Sequence, residues 1–98
     1  MPWITIEGED FPRQTIRLDK PLRIGRHDDN DLVIQSVRMS RRHVRIENVD
    51  GSWKIFDNGS TSGFYVNDEL GGASRALVEG DVIRVGPVRI RFYLNEPT

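Results

Sequence analysis

Three short polar stretches hold the side chains with the clearest chemical use: Gly25-Arg26, Ser40-Arg41-Arg42-His43 and Ser60-Thr61-Ser62-Gly63. Each lies between runs that read as β-strands, so an Arg, a Ser and a Thr are presented in loops, where binding residues concentrate. The oxygens of a phosphate dianion only accept hydrogen bonds, and charge-assisted bonds are the strong ones. A guanidinium and two hydroxyls form a fitting donor set. Each stretch also has a plainer reading. Gly25 suits a strand exit that needs an unusual backbone angle, Ser60 and Thr61 suit a turn beside Asp57-Asn58-Gly59, and a lone His43 more often buttresses a loop than catalyses.

The elements that must position these loops are strands, because the hydrophobic period is two. Val88-Arg89-Ile90-Arg91-Phe92-Tyr93-Leu94 alternates, as do Ile4 to Glu7, Ile16 to Asp19 and Val44 to Glu47. Further short strands are predicted at Leu22–Gly25, Leu32–Ile34, Trp53–Asp57, Phe64–Val66, Arg75–Leu77 and Asp81–Val85. Turn signals separate them at Asp50-Gly51, Asn67-Asp68, Gly71-Gly72, Gly80-Asp81 and Gly86-Pro87. About ten or eleven short strands with this punctuation predict an all-β, mostly antiparallel two-sheet sandwich. Its core would hold Ile4, Ile6, Ile16, Leu18, Ile24, Val44, Ile46, Ile55, Val66, Leu77, Ile83, Val85, Ile90 and Phe92.

Composition narrows the function classes. A chain of 98 residues is expected to form one domain, residues 1–98, without staples, and the tail Asn95–Thr98 is what the edge of a module in a longer protein would look like. A net charge of -1 argues against a general nucleic-acid binder, and the lack of a long apolar run or signal-peptide pattern predicts a cytoplasmic protein that does not bind membranes. There is no Cys, which removes thiolate and disulfide chemistry. Asp28-Asp29-Asn30-Asp31 lacks the spacing of a calcium loop and reads as a solvated turn. No cofactor or metal is expected. Twelve of the fourteen basic residues are Arg, whose planar fork suits oxyanions. Arg17, Arg45, Arg84, Arg89 and Arg91 alternate along strands and read as a solvated sheet face, whereas Arg26, Arg38, Arg41 and Arg42 fall in loops.

From about Leu18 to Leu94 the chain resembles the forkhead-associated (FHA) domain, a phosphothreonine-reading β-sandwich. The resemblance rests on Leu22-Arg23-Ile24-Gly25-Arg26, on Asn30-Asp31-Leu32-Val33-Ile34 and on Val37-Arg38-Met39-Ser40-Arg41-Arg42-His43-Val44-Arg45-Ile46. Asp57 to Asn67, ending in Tyr65-Val66-Asn67, and Leu77 to Gly86, with its Gly80-Asp81 pair, extend it. It implies phosphate binding by Arg26, Ser40, Arg41 and Thr61, peptide contacts by Arg38 and Ser62, and loop support by Gly25, His43, Gly63 and Asn67. The implied partner is a Thr-phosphorylated protein; three or four hydrogen bonds to its phosphate, less the cost of ordering a peptide, predict micromolar affinity, and the domain is expected to be a monomer. Two positions depart from the family: Ser62 replaces the usual Asn, and Phe64 stands where a small polar residue is usual.

These departures keep a second class in view, a phosphate-independent interaction or self-association module on the same fold. An enzyme is a third, but Ser40 and His43 lack a motif-placed carboxylate and a nucleophile elbow, so no catalytic residue is assigned. One geometric difficulty stands. Loops on either side of a single strand nominally lie at opposite sheet ends, so the Ser40 loop would have to double back past Leu32–Ile34, roughly 10 Å, to meet Arg26.

Overall fold

The computed structural model describes all 98 residues. There are eleven strands: β1 (Trp3–Gly8), β2 (Phe11–Arg17), β3 (Leu22–Gly25), β4 (Leu32–Val33), β5 (Val44–Val49), β6 (Ser52–Asp57), β7 (Tyr65–Val66), β8 (Glu69–Leu70), β9 (Ser74–Ala76), β10 (Val82–Val85) and β11 (Val88–Tyr93). They form a six-stranded sheet in the order β2-β1-β11-β10-β7-β8 and a five-stranded sheet in the order β4-β3-β5-β6-β9. Every pairing is antiparallel except β3 with β4.

Alternation sends one face of each strand inward. On β11, Val88, Ile90 and Phe92 are buried while Arg89 and Arg91 are exposed. Register then stacks apolar partners, with Ile4 opposite Phe92, Ile6 opposite Ile90, Ile83 opposite Ile90 and Ile46 opposite Ile55. Eighteen buried apolar side chains fill the space between the sheets. Burying each of the larger ones stabilises the fold by about 1.5 to 3 kcal/mol. The β5–β6 and β7–β8 hairpins close at Asp50-Gly51 (φ 54° and 88°) and Asn67-Asp68 (φ 50° and 69°). Positive φ at both central residues is what the twist-matched hairpin turn requires, and these residue types tolerate it.

The structure alters several expectations. Strand β2 starts at Phe11, well before Ile16, because both faces of this edge strand are largely solvated and show no alternation. Ile16 is accordingly only partly buried. Leu22, Ile34, Met39, Phe64 and Val88 join the core. Phe64 is 1% exposed, so the departure at this position is a packing residue and presents nothing to a partner. The β3–β4 crossover also removes the geometric difficulty. Because Ile24 pairs in parallel with Leu32, and Gly25 with Val33, both strands end on the same side of the sheet. Strand β5 begins beside Ile24, and β6 ends at Asp57 beside Val44. All three polar loops therefore emerge at one end, and no doubling back is needed.

Candidate functional site

At that end the loops are tied through their backbones. The Arg26 N–H donates to Ser40 O (2.9 Å) and the His27 N–H to Arg41 O (3.1 Å). Gly25 makes this approach possible, since a Cβ there would lie 2.2 Å from Arg41 O. Asn30 clamps the same junction, its Nδ2 donating to His27 O (2.8 Å) and Arg41 O (2.7 Å). It is buried, so the acidic run is a structural loop rather than a purely solvated turn. Burial pushes the Asp29 carboxyl up, but its bonds with Arg42 and His27 outweigh this and hold it below the usual carboxylate range. Asp31 is likewise held low, chiefly by the Arg23 side chain and backbone N–H.

The third loop is joined by His43, which is fully buried. Its Nδ1 accepts the Ser40 N–H (3.0 Å) and its Nε2 lies 2.8 Å from Gly63 O. A carbonyl can only accept, so the proton resides on Nε2 and the ring is neutral. One imidazole thus fixes the Ser40 loop to the Thr61 loop. Ser40 Oγ reinforces the link by accepting the Thr61 N–H (3.1 Å). Its own hydrogen stays free to donate. Asp57 Oδ1 accepts the Ser60 N–H, and Ser60 Oγ accepts the Gly63 N–H, both at 2.8 Å, closing the turn that presents Thr61 and Ser62. Burial pushes the Asp57 carboxyl up, yet the Ser60 N–H and hydroxyl and the Gly59 N–H together hold it below its ordinary value.

Two adjoining depressions open over these loops, of about 540 and 420 Å³, and Arg26, Ser40 and Thr61 line both. The larger also takes in Arg38, Ser62, Tyr65 and Arg84, and the smaller Arg41 and Arg42. No carboxylate lines either one. Arg26 and Arg41 have no ion-pair partner, whereas Arg42 is engaged by Asp29. Arg38 lies against the β10–β11 turn, its Nη2 3.4 Å from Gly86 O. Two unpaired guanidiniums and a poised hydroxyl, with no competing anion, form a donor set whose chemistry suits a compact dianion.

The FHA domain family model matches residues 22–86, about two-thirds of the chain and the whole of this loop cluster. The chain belongs to the FHA domain family. It is 40% identical over 76 residues to the oxoglutarate dehydrogenase inhibitor of Corynebacterium diphtheriae, a match covering 76% of this chain and 52% of that protein. It superposes on EmbR of Mycobacterium tuberculosis in complex with a low-affinity phosphopeptide, with a TM-score of 0.82 and 27% identity over 98% of this chain and 25% of that one. A structure from a study of phosphothreonine-dependent FHA domain interactions matches over 97% of this chain and 99% of its own, with a TM-score of 0.75 and 27% identity. The chain spans about half the length of the inhibitor it matches.

Of the residues singled out in the sequence, this FHA domain brings Arg26, Ser40, Arg41, Thr61, Arg38 and Ser62 to the two depressions, with Gly25, His43 and Gly63 holding the loops beneath them. Asn67 sits apart. Its Oδ1 accepts the Val82 N–H (3.0 Å) and its Nδ2 donates to Asp81 (2.8 Å), fastening the β7–β8 turn to β10. Sequence reasoning missed Asn30, hidden in what reads as an acidic turn. It also missed Arg84 and Tyr65 as groove residues, which meet only through the β7–β10 pairing, the guanidinium 4.9 Å over the ring.

Proposed function

We propose that this FHA domain is a reader of phosphothreonine on a partner protein. The observation that carries the proposal is the convergence of Arg26, Ser40 and Thr61 from three loops on a surface without carboxylates. Arg26 pairs with the phosphate charge, Ser40 Oγ donates its free hydrogen, Thr61 contributes from the opposite loop and Arg41 adds a second cation. Hydrogen bonds to charged groups contribute about 1.5 to 3 kcal/mol each. Three or four of them, less the cost of ordering a peptide, correspond to micromolar binding. Support comes from EmbR, which shares this fold over 25% of its chain and whose structure is a complex with a phosphopeptide. Ser62 faces the peptide backbone, and Arg38 favours an acidic side chain at the third residue after the phosphothreonine.

The proposal assigns no catalysis. Both His43 ring nitrogens are occupied by backbone groups, leaving no base for Ser40. We take residues 1–98 to act as one monomeric domain, in the cytoplasm where a kinase has its ATP. No helix is long and apolar enough to cross a membrane. The test is a titration with matched phosphothreonine, phosphoserine and unphosphorylated peptides. Phosphothreonine should bind at micromolar Kd, phosphoserine roughly fourfold more weakly if only the γ-methyl burial of about 0.8 kcal/mol is lost, and the bare peptide undetectably. Equal binding of the bare peptide would establish the phosphate-independent module instead.

A further inference from the structure

The outer face of the six-stranded sheet carries a second arginine cluster that the phosphate site does not use. Alternation turns Arg84 of β10 and Arg89 and Arg91 of β11 outward. Together with Arg13 of β2 and with Arg38 they line a shallow depression of about 1010 Å³ that also takes in Tyr93 and the carboxylates of Glu7, Glu9 and Asp68. It is continuous with the phosphate groove, because Arg38, Arg84 and Gly86 line both. The cations here are incompletely matched. Arg84 is paired with Asp68 (3.2 Å) and Arg89 loosely with Glu7 (3.9 Å). Arg13 and Arg91 have no carboxylate partner, and the one bond of Arg91 is a long one to Gly80 O (3.5 Å). A chain of net charge -1 thus sets five arginines against three carboxylates on the face its groove opens onto.

We propose that this face docks an acidic stretch of the same partner polypeptide, beyond the residue over Arg38, so that recognition extends across β10, β11, β1 and β2. The proposal rests on the phosphothreonine reading, which sets where the partner enters. From Arg84 on β10 to Arg13 on β2 is three strand intervals, about 14 Å, which some four extended residues cover. Glu or Asp side chains on such a segment would meet Arg89 and Arg91, side by side on β11, and then, past Glu7 and Thr5 of β1, Arg13 on β2. A polypeptide is favoured over a nucleic acid because continuity with the groove delivers one to this face without a second encounter.

The experiment compares two phosphothreonine peptides on the intact domain, identical through the third residue after the phosphothreonine, one continuing with Glu residues and one with Ser and Gly. The Glu-flanked peptide should bind roughly three- to tenfold more tightly at low salt, the sum expected of a few exposed ion pairs. The advantage should shrink as salt shortens the screening length. In the triple variant Arg13→Gln, Arg89→Gln, Arg91→Gln it should disappear, while the affinity for the Ser/Gly-flanked peptide stays unchanged. Equal affinities in the unaltered domain, or an advantage that survives the triple substitution, would overturn the inference and leave the phosphothreonine reading standing. Failure of both peptides to bind would overturn that reading and the inference with it. A single-stranded RNA of matching length that binds more tightly than the Glu-flanked peptide, and loses its affinity in the triple variant, would assign the face to nucleic acid and overturn the proposal.

Discussion

Replacing Arg26 by Ala separates recognition from folding, because the free domain uses this residue only through its main chain. The backbone N–H of Arg26 donates to Ser40 O, and Ala retains that bond. The half-buried guanidinium has neither an ion pair nor a side-chain hydrogen bond to lose, so stability should change by no more than about 0.5 kcal/mol. On the proposed reading the same guanidinium supplies charge-assisted bonds to the phosphate, which the variant loses. The loss should be about 2 to 3 kcal/mol, or thirtyfold to more than a hundredfold in Kd. Calorimetric titration with a phosphothreonine peptide reads the first quantity and a thermal melt the second. Unchanged affinity would remove Arg26 from the site. A large drop in melting temperature would make it a structural residue and refute the division of labour argued here.

Gly25→Ala should do the reverse and damage both properties, since its Cβ would collide with Arg41 O; a loss of about 1 to 3 kcal/mol in a urea titration, with weaker phosphopeptide binding, is expected. Ser62→Asn, which restores a carboxamide at the groove, should strengthen phosphothreonine-peptide binding by about 0.5 to 1.5 kcal/mol in calorimetry, and a null result would mean that the peptide backbone does not pass Ser62. Asp57 has a carboxyl held below its ordinary value in the folded state, so its contribution is present at neutral pH and is lost as pH falls below about 4 through the folded value. Asp57→Asn keeps an acceptor for the Ser60 N–H but does not titrate; acid melts of the variant should show a shallower loss of stability over that range, with Asp29 and Asp31 supplying the remainder.

The sandwich was readable wherever a strand has one wet face and one dry face, as in Val88 to Leu94 or Val44 to Glu47. It was unreadable in β2, where Pro12, Arg13, Gln14 and Thr15 are all solvated and leave no period to detect. Core positions outside strands escaped for a related reason: Ile34, Met39 and Phe64 are buried by loops folding over them, which alternation cannot signal. The loop residues of the candidate site were visible through their types and order. Their shared location depends on a two-residue parallel pairing, β3 with β4, that no local pattern announces. Arg84 had the right reading as an exposed strand residue, yet its place on the groove wall follows from a partner strand nineteen positions earlier in the sequence, where Tyr65 lies opposite it.

The bridge formed by His43 has a kinetic consequence. With one ring nitrogen on Ser40 and the other on Gly63, a side chain that water does not reach joins both walls of the groove, and the Thr61 N–H on Ser40 Oγ makes a second tie. Walls tied together in this way should need no slow loop closure to admit a peptide. Encounter is then set by diffusion and by the arginines' field, and differences between partners are expressed in how long each stays bound rather than in how fast it is found. On the proposed reading, a module of this kind would sample many phosphorylated proteins quickly and release all but the few whose flanking residues lengthen the dwell.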